Sequence, residues 1–140
     1  MQHTNMCRVP VVLVLLVFTL AVRAGAQGAG DAQMPPGVRE MKAANGTMVL
    51  TDMKGMTLYT FAKDQQGVSN CNDNCAKNWP PLMAAAAAKP MGEWTIVTRA
   101  DGTMQWAYKG MPLYTWIKDM KPGDTTGDGV GAGAWKIAVR

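Results

Sequence analysis

Apolar and polar positions are distributed very differently in the two ends of this chain. Near the N-terminus, Val11 to Val22 form an unbroken apolar run behind Arg8, and only 14 residues separate Arg8 from Arg23. That is short of the roughly 20 apolar residues a membrane-spanning helix needs. The run ends in Ala-Gly-Ala-Gln, where Ala24 and Ala26 supply the small side chains of a signal-peptide cleavage site after Ala26. Residues 1–26 are therefore expected to be a signal peptide, and 27–37 a flexible linker. Beyond them the pattern changes to short alternating segments. Trp94, Ile96 and Thr98 alternate with Thr95, Val97 and Arg99, and Met104, Trp106 and Tyr108 share one face after an Asp-Gly dipeptide. A period of two marks half-buried strands.

These segments occur twice. VREMKAANGTM at 38–48 aligns with WTIVTRADGTM at 94–104, which puts Asn45-Gly46 on Asp101-Gly102, 56 residues later. Both dipeptides are two-residue hairpin signals, because Asn, Asp and Gly tolerate the positive φ of a type I′ turn. Lys54-Gly55 and Lys109-Gly110 mark a second turn, now 55 apart, and MTLYTF and MPLYTW follow as third strands. Trp79 and Trp135 close the two units, again 56 apart. The expected fold is mostly β: two pseudo-symmetric three-stranded meander repeats packed into one small domain over 38–140. Repeat one covers about 38–79, a connector 80–93, and repeat two about 94–139. A short helical turn near Asp73–Asn78 is expected to carry the Cys-x3-Cys pair.

Within the third strands, Tyr59 and Phe61 point to one face, as do Tyr114 and Trp116. Asp64 and Asp119 lie just past the strand ends, each before a glycine-containing loop. Two readings follow. In the first, the aromatics build the core and each carboxylate accepts backbone N–H bonds that fix its loop. In the second, the repeat symmetry gathers Tyr59, Tyr114, Asp64 and Asp119 into a shared pocket.

Composition narrows the chemistry. Without residues 1–26 the chain loses its one histidine, His3, and Cys7, and keeps 12 Lys and Arg against 10 Asp and Glu. Its charge of about +2 argues for neither a nucleic-acid nor an anionic-membrane partner. No segment after residue 26 is apolar enough to span a membrane. Cys71 and Cys75 remain, an even count in an exported chain, which favours a disulfide. Residues four apart on a helical turn are within bridging reach. The alternative is a redox pair or thiolate metal site. The Cys-x3-Cys spacing differs from Cys-x2-Cys redox motifs, however, and no further Cys or His is present to complete a zinc site.

The same census bears on catalysis. A chain without histidine offers no Ser-His-Asp or Cys-His arrangement, and Ser69, the only serine, lies in no nucleophile elbow. Glycine fingerprints for nucleotides are missing too. Asp124, Thr126, Asp128 and Gly129 match the opening of a calcium loop, but Trp135 stands where its bidentate acid belongs. Ten methionines follow residue 26, with Met53, Met56 and Met111 around the Lys-Gly turns. Thioethers favour Cu(I), although methionine is also a common core filler. No cofactor is expected, with copper as the weak alternative.

The motif Tyr59-Thr-Phe61-Ala-Lys-Asp64 and its copy Tyr114-Thr-Trp116-Ile-Lys-Asp119 resemble the secreted-repeat family of predicted bacterial lipoproteins with a Yx(F/W/Y)xxD pattern. SNCNDNCAKNWPPL at 69–82 and DGTMQWAYKGMPLYTW at 101–116 fit the same resemblance, which covers nearly all of the chain after residue 26. It implies a cell-envelope or secreted location and brings no established activity. No cysteine stands at the cleavage site, and Cys7 precedes the apolar run. A soluble periplasmic or secreted form without a lipid anchor is therefore expected. Its leading function is a non-enzymatic binding or structural module for an envelope protein or small ligand. The alternative is periplasmic redox or copper handling through Cys71, Cys75 and the methionines.

Overall fold

The hairpins form where the glycine dipeptides place them. The computed structural model describes residues 33–140, so the expected signal peptide lies outside the described residues. In repeat one, β1 (Arg39–Lys42) pairs antiparallel with β2 (Met48–Thr51), and Met41 faces Val49 across the ladder. β3 (Tyr59–Phe61) follows, then the helical turn α1 (Asn74–Asn78). In repeat two, β4 (Trp94–Thr98), β5 (Met104–Tyr108) and the short β6 (Met111–Pro112) make a continuous meander. A single turn, α2 (Val130–Gly133), with left-handed φ of +68° at Gly131 and +57° at Ala132, leads into β7 (Trp135–Ile137). The chain is mostly β, with two repeats and a disulfide beside a short helix.

The turns differ in detail from the expected type I′ pairs. At the first turn of each repeat only the glycine takes positive φ, +87° at Gly46 and +82° at Gly102. The N–H groups of Ala43 and Arg99 donate to the carbonyls of Thr47 and Thr103, so each loop holds three residues and ends in a glycine bulge. The side chains explain the choice. Asn45 accepts the N–H of Thr47 at 3.0 Å and Asp101 that of Thr103 at 2.9 Å, which holds Asn45 and Asp101 out of the left-handed region. The type I′ geometry appears instead at Lys109-Gly110, where φ is +50° and +82°. Its counterpart, Asp52–Met56, is another bulged loop with one more residue. The change of repeat offset from 56 to 55 is thus the exchange of a three-residue turn for a two-residue one.

The third strand of each repeat has two partners. Its first half completes its own meander, since the N–H of Leu58 donates to Leu50 at 2.8 Å and that of Leu113 to Trp106 at 3.0 Å. Its remainder pairs with the other repeat. β3 runs antiparallel to β7, with Tyr59 opposite Ile137 and Phe61 opposite Trp135. Residues 80–84, expected as connector, lie along repeat two, where Leu82 donates to Leu113 and Thr115 to Pro80. Each closing segment has therefore crossed over. The two third strands meet at the pseudo-twofold axis, where Tyr59 and Tyr114 donate N–H bonds to each other's carbonyls at 2.8 and 3.0 Å.

Two apolar clusters result. One gathers Leu50, Leu58, Trp94, Trp106, Leu113 and Ala138 between the hairpins. The other holds Tyr59, Cys71, Trp79, Tyr114 and Trp135 at the axis. The alternation expected in β5 is overridden, because Gln105 through Tyr108 are all buried. The inward Gln105 belongs to a polar network described below.

Candidate functional site

The motif residues converge on the axis cluster, and they do so crosswise. Tyr59 and Tyr114 are fully buried, and Asp64 and Asp119 nearly so. Tyr59 of repeat one donates its hydroxyl to Asp119 Oδ2 of repeat two at 2.7 Å. Tyr114 of repeat two donates to Asp64 Oδ2 of repeat one, also at 2.7 Å. Each carboxylate also fixes its own loop. Asp64 accepts the N–H of Asn70 at 2.7 Å, and Asp119 accepts the N–H and hydroxyl of Thr126 at 2.9 and 2.6 Å. The carboxylates thus cap loops, and the four groups form two buried pairs.

Burial and the neighbouring carboxylates set the acidities. Desolvation, reinforced by the hydrogen bond to Asp119 and its charge, pushes the Tyr59 phenol far above the usual range. Desolvation likewise raises Tyr114, with Asp64 adding to it and Ser69 opposing. Asp64 is itself raised by burial, although Asn70, Tyr114 and the charge of Arg99 pull it back.

Phe61 and Trp116 stand half-buried at the two ends of an aromatic column. Phe61 stacks on Trp135 with ring centroids 4.3 Å apart, Trp135 on Trp79 at 3.7 Å, and Trp79 on Trp116 at 4.0 Å. The tyrosines meet this column edge-on, Tyr59 against Trp79 at 5.4 Å and Tyr114 against Trp135 at 5.2 Å. Offset stacks and edge contacts of this kind add to area burial.

Sequence reasoning missed the polar side of the site. Arg99, nearly buried, donates from Nη1 to Ser69 Oγ at 2.8 Å and to Gln105 Oε1 at 2.7 Å, and from Nη2 to the Cys71 carbonyl at 2.8 Å. Ser69 Oγ lies 2.7 Å from the Tyr114 hydroxyl, so a chain of contacts runs from Arg99 through Ser69 and Tyr114 to Asp64. An arginine at a strand end before a turn carries no signal of such a role.

Cys71 and Cys75 are bonded to each other, with Cα atoms 5.1 Å apart, beside α1. Cys71 is packed into the axis cluster. Met53 is well exposed, while Met56 and Met111 are half-buried. Among the described residues no group of three or more His, Cys, Asp or Glu is placed to hold a metal ion. The acids of the supposed calcium loop turn to their own backbone. Asp124 accepts from Met120 and Lys121, and Asp128 from Ile137.

The described surface also has an apolar groove of about 570 Å³. Met83, Ala88, Met91 and Trp106 line it, with Lys89 at its edge. Among the described residues, no helix is long and apolar enough to cross a membrane. Neither a curated protein nor a solved structure matches the chain. The profile of the family described as a secreted repeat of unknown function matches twice, over residues 41–83 and 95–139, one match for each structural repeat. On those two matches the chain belongs to this secreted-repeat family.

Proposed function

We propose that the domain is a non-enzymatic binding module of the cell envelope, in which the crossed motif serves as the clasp and the groove beside Trp106 takes the ligand. The observation that carries this is where the polar groups are spent. The motif's phenols and carboxylates are bonded to one another inside the molecule, whereas an open concavity beside Trp106 is apolar. A volume of about 570 Å³ suits a small molecule. Its lining of Met83, Met91, Ala88 and Trp106 favours an apolar body, and Lys89 favours an anionic group on that body. Flexible methionines allow the groove to adapt its shape. The apolar run at 11–22, the Ala24-x-Ala26 site and the family's secreted character support a periplasmic or secreted form, processed near Ala26.

Titration with anilinonaphthalene sulfonate, an apolar anion, tests the reading. The mature protein should bind it saturably at one site, Lys89→Glu should weaken it, and Ala88→Glu should abolish it with the fold intact by circular dichroism. Binding indifferent to both substitutions, or robust turnover of a ligand bound in this groove, would overturn the proposal.

A further inference from the structure

We infer that the aromatic column is a one-electron relay, carrying an oxidising equivalent from the half-buried indole of Trp116 inward to the phenol of Tyr114, whose proton passes to Asp64. The route is continuous. Trp116 stacks on Trp79 at 4.0 Å, Trp79 on Trp135 at 3.7 Å, and Trp135 meets Tyr114 at 5.2 Å. It also has a direction. The half-buried ring at the other end is Phe61, which an oxidant able to oxidise indole leaves untouched, so Trp116 is the oxidisable entry.

The terminus follows from proton chemistry. A phenol that loses an electron becomes a strong acid, so its oxidation is easy only where a base already holds its proton. Both phenols have such a base at 2.7 Å, but the two bases differ. Asp119 already accepts two donors from Thr126 on its other oxygen, whereas among the described residues the other oxygen of Asp64 accepts the N–H of Asn70 alone. Burial also raises Asp64 above the ordinary carboxyl value, which favours proton uptake there. The Tyr114 oxygen remains in contact with Ser69, which Arg99 holds in place.

The balance is simple. A one-electron oxidant of the ferryl or peroxide-derived radical class gains one electron at Trp116. Tyr114 loses that electron and its proton and becomes a phenoxyl radical, while the Asp64 carboxylate becomes a carboxylic acid. One electron from an ene-diol reductant, together with the proton held on Asp64, restores the phenol. Such a cycle would let an exported domain drain damaging oxidants into a buried, recoverable site.

Flash oxidation of the full-length protein with tris(bipyridine)ruthenium and persulfate tests this, read by transient absorption and freeze-quench electron paramagnetic resonance. The expected sequence is an indole radical followed by a tyrosyl radical, whose formation slows in D2O. Trp116→Phe should slow entry, Tyr114→Phe should leave the radical on indole, Asp64→Asn should diminish the isotope effect, and Tyr59→Phe should retain the tyrosyl signal. Near-UV circular dichroism of the column reports whether each variant keeps its packing. No tyrosyl radical in the parent protein, an unchanged tyrosyl yield in Tyr114→Phe, or an unaffected rate in folded Trp116→Phe would each overturn the inference.

Discussion

A tyrosine hydroxyl facing a buried carboxylate is worth more than an ordinary hydrogen bond, and each repeat spends its tyrosine on the other repeat's aspartate. A bond to a charged group contributes about 1.5–3 kcal/mol, and leaving a buried acceptor short of its donor costs a similar amount. Tyr59→Phe keeps the ring against Trp79 and deletes the donor to Asp119 together with the acceptor of the Gly127 N–H. The expected loss is about 2 kcal/mol in urea unfolding; a change within error would mean that solvent already serves Asp119. Asp64 gives a pH test. Its carboxyl is raised from the ordinary 3.8, mainly by burial, so the folded state binds the proton more tightly than the unfolded chain. Such a group contributes stability below its unfolded pKa and loses it as pH rises through the folded one. The parent protein should therefore gain stability relative to Asp64→Asn as pH falls from about 7 towards 4. Asp101 and Asp124, both held low by hydrogen bonds, act in the opposite sense, but they are present in both proteins and cancel. A flat or inverted difference would refute the assignment. At this scale the motif's side-chain directions were legible, because period two fixes which residues share a face. That Tyr59 would reach Asp119 rather than its own Asp64 was not, because it depends on how two repeats dock.

Among the elements, the short turns α1 and α2 show how one architecture is fastened in two ways. In repeat one, Cys71 packs into the axis cluster and is bridged to Cys75 of α1. In repeat two the corresponding place belongs to Gly127, whose N–H donates to the Tyr59 hydroxyl at 3.3 Å. A Cβ there would lie 2.8 Å from Trp79 and 2.9 Å from Tyr59, both buried ring atoms. Gly127→Ala is therefore expected to cost about 1–3 kcal/mol by overpacking, visible as a lowered midpoint in thermal unfolding; an unchanged midpoint would show that the rings yield freely. Replacing both cysteines by serine should cost about 2 kcal/mol, because the bridge closes so short a loop. It should leave the far-UV spectrum intact, since α1 holds only five residues of a mostly β chain. Loss of the native spectrum would mean the bridge is needed for folding. The hairpins and the helical turn could be read from Asn-Gly, Asp-Gly and Cys-x3-Cys. The turn types could not, because Asn45 and Asp101 spend their side chains on Thr47 and Thr103 and leave positive φ to glycine alone.

For the molecule as a whole, the crossing of the closing segments governs stability. Repeats that merely stack can open one at a time, whereas here β7 of repeat two completes β3 of repeat one, and residues 80–84 complete repeat two. Leu50, Leu58 and Ala138 close a ring of backbone bonds at 2.8–2.9 Å, and Trp106, Leu113 and Leu82 close its counterpart at 2.8–3.0 Å. Trp79 and Trp135, one from each repeat, stack on each other at the centre. The sequence marks both tryptophans as the ends of their units, but local patterning cannot tell whether a terminal strand folds back on its own repeat or crosses to the other, because both choices bury the same residues. The crossing predicts one cooperative transition, with calorimetric and van 't Hoff enthalpies equal. It also predicts that damage at one end spreads to the other. Removing residues 135–140 leaves every residue of repeat one in place, yet β3 loses its partner, Leu50 loses the Ala138 carbonyl and the column loses Trp135. Amide resonances of residues 38–61 should collapse towards random-coil positions in that truncated chain. Well-dispersed resonances there would show that repeat one folds without the strand it borrows, and the exchange would then be an ornament of the fold rather than its fastening.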